Sequence, residues 1–450
     1  MAMGSALSFE NARIDVAHQR KISSSELPAG HIREHNRISF DALDASVAQQ
    51  FQRDDHYNHG EVKKVIITSV NLIKTRDIAQ YCWSRLAQFQ NVQLTTNLIC
   101  NLHNIPNTDR SNRSNAKSQA EQIKYCLAQA REYFDAATGV SLATKPVLLY
   151  YCTMSMALSE ILLKQSGDSR LPKLREDHNC HGLQLGVSAT PKPEDSLEDS
   201  SSSLIAKPQR DTSGALKGTF EVWRRSAREH PVAGKHTTFF SASGANSQGF
   251  GVILGPNDVP PPELPRSGVS LFDCMRELPY MTDLLNTFGI RANLVRASMS
   301  NSRTEIYGLQ TSELIIHPAH QDLIDKFGNL VEVDPEAVNS MTFQELPSGY
   351  IVKYQPTSPF HMSFPSSTTI NKDFFYFSCS GLNLGEFGFL YCALHICGNF
   401  ARYYPDIWLK HIEKSSPLSI AIDELCSHAL ERLPLLVLSE MLRSYQIVSE

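Results

Sequence analysis

The sequence predicts a mainly α-helical protein with a small antiparallel β subdomain, and so an α+β fold overall. Helical periodicity early in the chain, helical periodicity late in the chain and short β-branched segments between them lead to this prediction. Of the 450 residues, 42% are hydrophobic and 20% are charged, which is typical of a globular protein with a sizeable core. We therefore expect the early and late helical regions to share one interior.

The clearest early helix is predicted over residues 116–139. Its apolar side chains alternate four and three residues apart, which places them on one face, and Gly139 is a typical helix end. A second helix is predicted over residues 145–163, with Pro146 in its first turn, where proline is well tolerated. Because this second helix is apolar nearly all round, we expect an antiparallel hairpin whose second helix is buried on most sides.

A late helix predicted over residues 384–404 carries polar side chains on one stripe. His395, Asn399 and Arg402 are four and three residues apart and therefore share a face of an otherwise apolar helix. Burying a guanidinium without partners is costly. The stripe is therefore either an internal polar cluster, with Arg402 bonded to loop carbonyls, or a site for phosphate or RNA. In the second interpretation Arg402 holds the anion and His395 acts as acid or base.

The chain length predicts two or three structural units, since a typical domain has ~150 residues. The segment 191–217 is rich in Ser, Pro and acidic residues and is expected to be a flexible linker. The predicted segments are an N-terminal arm (1–60), a helical region with the central hairpin (61–190), the flexible linker (191–217), a basic, Gly- and Pro-rich mixed segment (218–289), a small β-rich subdomain (290–378) and a C-terminal helical region (379–450).

Charge and cysteine usage predict a cytoplasmic protein that does not contact a membrane. The formal net charge is −5, so any binding to nucleic acid requires a local basic patch. The ten Cys are scattered without a CxxC pair, which is typical of reduced thiols in the cytosol. The N-terminus lacks the apolar run of a signal peptide, and no stretch of ~20 residues is continuously apolar.

A second group of candidate residues follows the early hairpin. Arg175 and His181 have the spacing of the Arg/His pair used by helical ribonucleases of the HEPN group, although such pairs also arise by chance in a chain with 16 His. His178 and Cys180 are metal-capable neighbours of His181, but three local candidates without a second cluster do not form a closed zinc site. We therefore expect no metal site and no cofactor.

Two groups of basic residues are candidates for binding the phosphates of a nucleic acid. The first recurs on the polar face of the early helix, and the second lies beside aromatic residues in the mixed segment. These residues are Lys117, Lys124 and Arg131 in the first group, and Arg224, Arg225, Arg228 and Lys235 in the second. A solvated helical face is the commoner explanation of either group.

Four stretches of the sequence, 130–163, 181–183, 401–408 and 430–442, resemble the bacterial YaaC-like family. The resemblance implies a mostly helical bacterial cytosolic protein, but it implies no reaction, because the family is essentially uncharacterised. The hairpin is also similar to helical folds of HEPN type, which recur in prokaryotic defence and in RNA-cleaving proteins. That second likeness concerns the fold alone.

Two functions remain open on these observations. The first is a binding, regulatory or defence-associated protein that acts as a homo-oligomer or with a protein partner. The alternative is a metal-independent ribonuclease or nucleotide-processing effector that uses an Arg/His pair on RNA or a nucleotide. The candidate catalytic residues are Arg175, His181, His395 and Arg402.

Overall fold

The structure is a computed structural model of the protein. Of the predicted N-terminal arm (1–60), residues 37–39 fall within the part of the chain that it describes. The described residues are 37–39, 69–164, 170–226, 235–243, 247–255, 263–303, 310–317, 322–323, 326, 332–333, 341–346, 349–354, 360–364, 367–369, 374–382 and 384–448.

Helices dominate both ends of the described chain. In chain order they are α1 (Ile78–Leu86), α2 (Val92–Leu102), α3 (Arg110–Gly139), α4 (Lys145–Lys164), α5 (Leu171–Asp177), α6 (Leu197–Ser202), α7 (Thr219–Ser226), α8 (Leu271–Arg276), α9 (Thr282–Thr287), α10 (Gly385–Tyr403), α11 (Pro405–Glu413) and α12 (Pro417–Leu442). Local capping starts several of them; for example, the carboxylate of Asp109 accepts the backbone N–H of Asn112 at 3.0 Å at the start of α3.

The predicted hairpin is confirmed as α3 and α4, which pack along each other across a short connection. The buried positions of α3 follow the predicted four-and-three spacing, and the helix ends at Gly139 as expected. It begins six residues earlier than predicted, at Arg110, because Asp109 caps it there. Pro146 lies in the first turn of α4, where its missing N–H leaves no bond unmade.

The early and late helices share one hydrophobic core, as predicted. Helix α4 packs against α2 and α3 from the early region and against α10 and α12 from the late region, and α7 covers a further side. This helix is long and apolar enough to cross a membrane, but 72% of its apolar window is buried inside the protein. A mostly buried core helix has the same length and composition, and α4 is buried in this way.

The strands form four sheets within the described part of the chain. In chain order the strands are β1 (Arg37–Ser39), β2 (Ser69–Ile73), β3 (Leu183–Val187), β4 (Leu204–Pro208), β5 (Lys235–Ser243), β6 (Ser247–Gly255), β7 (Val269–Ser270), β8 (Leu294–Arg303), β9 (Gln310–Ile316), β10 (Glu332–Val333), β11 (Met341–Leu346), β12 (Gly349–Tyr354), β13 (Phe360–Phe364), β14 (Ser367–Thr369), β15 (Phe375–Ser378) and β16 (Ser444–Val448). The sheet orders are β1-β2-β16, β10-β13-β5-β6, β11-β12-β9-β8-β15-β14 and β3-β4-β7.

The predicted β-rich region extends beyond its predicted start. Strands β8 to β15 lie between residues 290 and 378 as expected, and their pairings are antiparallel. The hairpin of β5 and β6, however, lies in the segment predicted to be mixed and Gly/Pro-rich, and β5 pairs with β13. Gly249, Gly251 and Gly255 of this segment therefore belong to strand β6.

The prediction of a flexible linker over residues 191–217 is wrong. The segment contains α6 and β4, and β4 pairs with both β3 and β7. Leu197, Leu204 and Ala206 are buried in the shared core, and the hydroxyl groups of Ser200 and Ser201 bond to carbonyls within α6. The average composition of the segment is polar and therefore predicted disorder. A few apolar side chains that reach the core are sufficient to order it.

A glycine allows α4 and α10 to approach closely. A Cβ atom at Gly398 would lie 3.1 Å from the carbonyl oxygen of Pro146 and 3.1 Å from Cβ of Tyr150. One neighbour is a backbone atom of α4 and the other is a Cβ atom attached directly to that backbone, so neither moves without shifting the helix. The contact between the two central helices therefore requires a very small residue at this position.

Gly398→Leu is expected to lower the free energy of unfolding by about 1–3 kcal/mol, the usual cost of overpacking. Gly139→Leu is the matched control, because a Cβ atom there meets nothing within 4 Å, and its effect should stay within about 0.5 kcal/mol. Urea denaturation measures both. A Gly398→Leu variant as stable as the parent would contradict the close contact of α4 with α10.

A buried polar cluster links α4 to α7 and α12. The Lys164 ammonium donates to the Glu440 carboxylate, and the Trp223 indole N–H donates to Glu160 at 2.7 Å. Burial raises the pKa of Glu160 to about 8, because its carboxylate has lost its hydration; nearby Lys164 opposes this rise and nearby Glu440 adds to it. Glu160 is therefore protonated in the folded protein at neutral pH.

The free energy of unfolding is expected to contain a Glu160 contribution that falls as pH rises from about 4.5 to about 8. The sign follows because the folded state holds this proton over a range in which the unfolded chain has lost it. Glu160→Gln removes the contribution, so the stability of this variant relative to the parent should increase with pH over that range. Urea denaturation at several pH values measures the difference.

Glu440→Gln is the control for this prediction. This variant leaves the Lys164 ammonium buried without its carboxylate partner, so its free energy of unfolding should be lower than that of the parent. A difference between Glu160→Gln and the parent that is constant from pH 5 to pH 8 would show that Glu160 is ionised in the folded protein.

Candidate functional site

The structure brings three of the four predicted catalytic residues together. His395 and Arg402 lie on α10, and His181 lies in the loop between α5 and β3. The ring of Tyr150 on α4 joins the two histidines, since its centroid is 5.1 Å from the His395 ring and 5.8 Å from the His181 ring, and the charge of Arg402 acts on His181. Two distant parts of the sequence therefore meet across α4 to form one candidate site.

Arg175 lies outside this group. It is exposed on α5, and its Nε donates to the carbonyl of Leu171 one turn earlier in the same helix, at 3.3 Å. Partial burial lowers the pKa of the His181 imidazole, and the guanidinium that lowers it further is that of Arg402. The structure thus pairs His181 with an arginine that sequence spacing did not select.

Two glycines fix the loop that carries His181. Gly182 and Gly218 have φ angles of 87° and 98°, in the left-handed region that favours glycine. A Cβ atom at Gly218 would lie 2.3 Å from Cα of Gly182, so the loop and the start of α7 cross in direct backbone contact. The Phe220 N–H then donates to the carbonyl of His181 at 3.0 Å. His181 is therefore held by backbone packing while its side chain stays exposed.

His395 is an internal residue. Its side chain is 2% exposed, and the Asn399 amide donates to its Nδ1 at 3.2 Å, which assigns the ring proton to Nε2. Burial, aided by nearby His181, lowers the pKa of His395 to about 3. The imidazole is neutral at pH 7, which supports the interpretation of this end of the stripe as an internal polar cluster.

Arg402 is exposed and belongs to a row of aromatic side chains. Its Nη1 donates to the Tyr151 hydroxyl at 2.6 Å, so this hydroxyl takes the place of the expected loop carbonyls. The guanidinium carbon lies 5.2 Å from the Tyr403 ring centroid, and the Tyr151 ring stacks on Tyr133 at 5.5 Å. We call Tyr133, Tyr151, Arg402 and Tyr403 the aromatic–arginine strip.

The strip and His181 together offer an exposed cation, an exposed neutral imidazole and aromatic faces. Tyr403 is 62% exposed. The pKa of His181 is lowered, first by partial burial and then by the charge of Arg402, so the imidazole is neutral at pH 7 and can accept a proton or a hydrogen bond. This arrangement can hold a phosphate at Arg402 and stack a planar ring on Tyr403.

Three of the predicted phosphate-binding arginines are paired with carboxylates. Arg131 donates to Asp135 at 2.8 Å and covers the Trp83 ring. Arg224 is 3% exposed and makes two bonds of 2.8 Å to Glu221, which Arg225 also contacts. The Arg224 guanidinium is therefore inside the protein, where it helps to hold α7 and does not present a surface to nucleic acid.

The other predicted cations are two exposed lysines and two residues whose side chains are not described. Lys117 and Lys124 are exposed on α3. Arg228 and the side chain of Lys235 lie outside the described residues, although the Lys235 backbone is the first residue of β5. Nucleic-acid binding by these four residues stays a prediction.

The metal-capable residues of the loop have other contacts. Nδ1 of His178 accepts the Gly218 N–H at 3.2 Å, and Nδ1 of His181 lies 3.1 Å from the Met154 sulfur. Across the ranges that the structure describes, no three His, Cys, Asp or Glu side chains are grouped as metal ligands. These contacts instead position the loop on α4 and α7.

Sequence reasoning missed the tyrosines that complete the site. Tyr133, Tyr150 and Tyr151 occupy helical positions where core packing is expected, and all three are half-buried or buried. The available signal was the adjacent pair Tyr150–Tyr151 within an otherwise aliphatic helix. A tyrosine at such a position brings a hydroxyl that needs a partner.

Arg402→Gln is expected to raise the pKa of His181, because the change removes a nearby positive charge and keeps a polar side chain. Titration of the His181 Cε1 proton by NMR measures this pKa. Arg175→Gln is the matched control, since Arg175 bonds within its own helix, and it should leave the titration unchanged. An unaltered His181 pKa in Arg402→Gln would show that the two residues do not form one site.

Comparison with known proteins places the chain in a family. Residues 87–204 and 236–441 match the family model described as YaaC-like Protein, and these ranges contain His181, His395 and Arg402. No curated protein and no solved structure matches the chain. Because the match spans more than half of the 450 residues and includes the hairpin and α10, the chain belongs to the YaaC-like family.

Proposed function

We propose that this protein is a cytoplasmic binding protein that recognises a nucleotide or a single-stranded RNA at the aromatic–arginine strip and His181. The observation that carries the proposal is the exposure of Arg402 among aromatic rings on an otherwise well-packed helical face. Proteins that bind single strands combine a cation for the phosphate with aromatic faces for the bases.

Arg402 is suited to hold a phosphate because it is already positioned. Its bond to the Tyr151 hydroxyl engages one N–H of a guanidinium that carries five donors. Tyr151 is in turn fixed by stacking on Tyr133, so the guanidinium is preorganised before the ligand arrives. Tyr403 presents an exposed ring directly beside the cation, where a base can stack.

The cytoplasmic part of the proposal is supported by the thiols. All ten Cys are free, and most are buried. Burial raises the pKa of several thiols, for example that of Cys126 to about 12, which keeps them protonated and unreactive. Action as a homo-oligomer or with a protein partner, and a role in defence, stay predictions.

A second candidate function is metal-independent RNA cleavage, which is favoured by the exposed neutral imidazole of His181 beside Arg402. His181 would take the proton from an attacking 2′-hydroxyl, and Arg402 would stabilise the negative charge on the non-bridging phosphoryl oxygens. Cleavage also needs an acid for the leaving 5′-oxygen, and His395, the residue predicted for acid–base chemistry, is buried and neutral. Binding without cleavage is therefore the function that the geometry favours.

Fluorescence anisotropy with a labelled single-stranded RNA of mixed sequence tests the proposal. Arg402→Gln should weaken binding about tenfold or more, since it removes a charge-assisted contact to phosphate. Tyr403→Leu should weaken it by roughly fivefold to a hundredfold through lost stacking. Arg175→Gln, which removes an exposed arginine elsewhere, should bind like the parent. A parent protein that binds neither RNA nor mononucleotides would contradict the proposal.

Gel analysis of the same RNA after incubation separates the two functions. Intact RNA with both the parent and His181→Ala is the expected result for a binding protein. RNA that is cleaved by the parent but not by His181→Ala would instead establish the ribonuclease function.

A further inference from the structure

Three buried polar atoms beneath His181 have no hydrogen-bond partner among the described residues. They are the Tyr150 hydroxyl, the Tyr391 hydroxyl and Nε2 of His395. Their side chains are buried, with exposed fractions of 3%, 0% and 2%. We call these three atoms the inner donor cluster. Because buried polar groups in folded proteins are almost always paired, three unpaired ones in one place need an explanation.

The three side chains are neighbours at the contact between α4 and α10. The Tyr150 ring lies edge-on to the His395 ring, with centroids 5.1 Å apart and an angle of 76° between planes. Its centroid is 6.2 Å from that of Tyr391, which is one helical turn before His395. The rings that carry the unpaired atoms of Tyr391 and His395 thus both pack against the ring of Tyr150.

All three groups carry a proton to donate. The Asn399 amide occupies Nδ1 of His395, so the ring proton is on Nε2, and the low pKa keeps this ring neutral. Burial raises the pKa of both tyrosine hydroxyls well above the usual value, so they are also protonated at neutral pH. A cluster of buried neutral donors is suited to acceptor oxygens, especially those that carry negative charge.

The inner donor cluster is continuous with the surface site. The Tyr150 ring contacts the rings of His181 and Tyr151, and the Tyr403 and Tyr151 hydroxyls are close enough to raise the pKa of Tyr150. Arg402, bonded to Tyr151, supplies the compensating positive charge at the outer end. The rings of Tyr151 and Tyr150 therefore connect Arg402 at the surface with the inner donor cluster.

We propose that the inner donor cluster binds the oxygens of a terminal phosphate, so that the ligand of the strip is a mononucleotide or an RNA with a phosphorylated end. This inference rests on the proposed function. A terminal phosphate is attached to the ligand on one side only and can therefore enter a buried site. An internal phosphodiester carries a nucleoside on each side and is restricted to the exposed Arg402.

Isothermal titration calorimetry with pairs of probes tests the proposal. One pair is adenosine monophosphate and adenosine. The other pairs are RNAs that bear either a phosphate or a hydroxyl at the 5′ end or at the 3′ end. The parent should bind the phosphorylated member of at least one pair about tenfold or more tightly. Tyr391→Phe, which removes a single hydroxyl, should abolish most of that preference and leave the binding of unphosphorylated RNA unchanged. The preferred end identifies the source of the phosphate.

Tyr125→Phe is the matched control, since Tyr125 is exposed on α3, and it should keep the preference. Thermal unfolding without ligand should show Tyr391→Phe to be at least as stable as the parent, because the lost hydroxyl had no partner. A lower melting temperature would indicate that an internal water satisfies the hydroxyl, which would overturn the inference.

The outcomes separate the two proposals. Binding of RNA with equal affinity for phosphorylated and unphosphorylated ends would overturn the inner site and leave the proposed function standing. Failure of the parent to bind any of these probes would overturn both. A preference for the phosphate that Tyr391→Phe retains in full would place the phosphate at Arg402 alone and would also overturn the inner site.

Discussion

The burial of α4 on most of its sides is the constraint on which the rest of the structure depends. A helix of 20 residues that is apolar nearly all round cannot be covered by its hairpin partner α3 alone. Helices α10 and α12, more than two hundred residues later in the chain, complete its surroundings. The site is a consequence of this packing, because the approach of α10 to α4 is what brings Arg402 to Tyr151 and His395 to Tyr150.

Polar groups inside this core give the helices a fixed register. Glu386 of α10 and Arg432 of α12 form two parallel bonds of 2.6 Å, and Glu160, Lys164 and Glu440 form a second buried group between α4 and α12. Breaking such a pair leaves a buried charge, so each disfavours helices that slide past one another. A site built across two helices needs this fixed register, since its atoms are held from both sides.

Helical periodicity was sufficient to predict the hairpin, the late helix and their common interior, because those features follow from the spacing of apolar residues. The stripe of His395 and Arg402 was also visible, but periodicity cannot say that the first is buried and the second exposed. The contact of His181 with this stripe depends on the crossing of Gly182 with Gly218, which no local pattern reveals. Likewise, Arg224 was expected at the surface, and only the tertiary structure shows it buried on Glu221.

Native-state hydrogen exchange tests most directly whether the early and late helices form one cooperative core. If they do, amides in the middle of α4 and α10 exchange most slowly and share one opening free energy, with the same dependence on denaturant. The opposite result, in which α10 opens at a clearly lower free energy while α4 stays protected, would contradict the shared core and the site built across it.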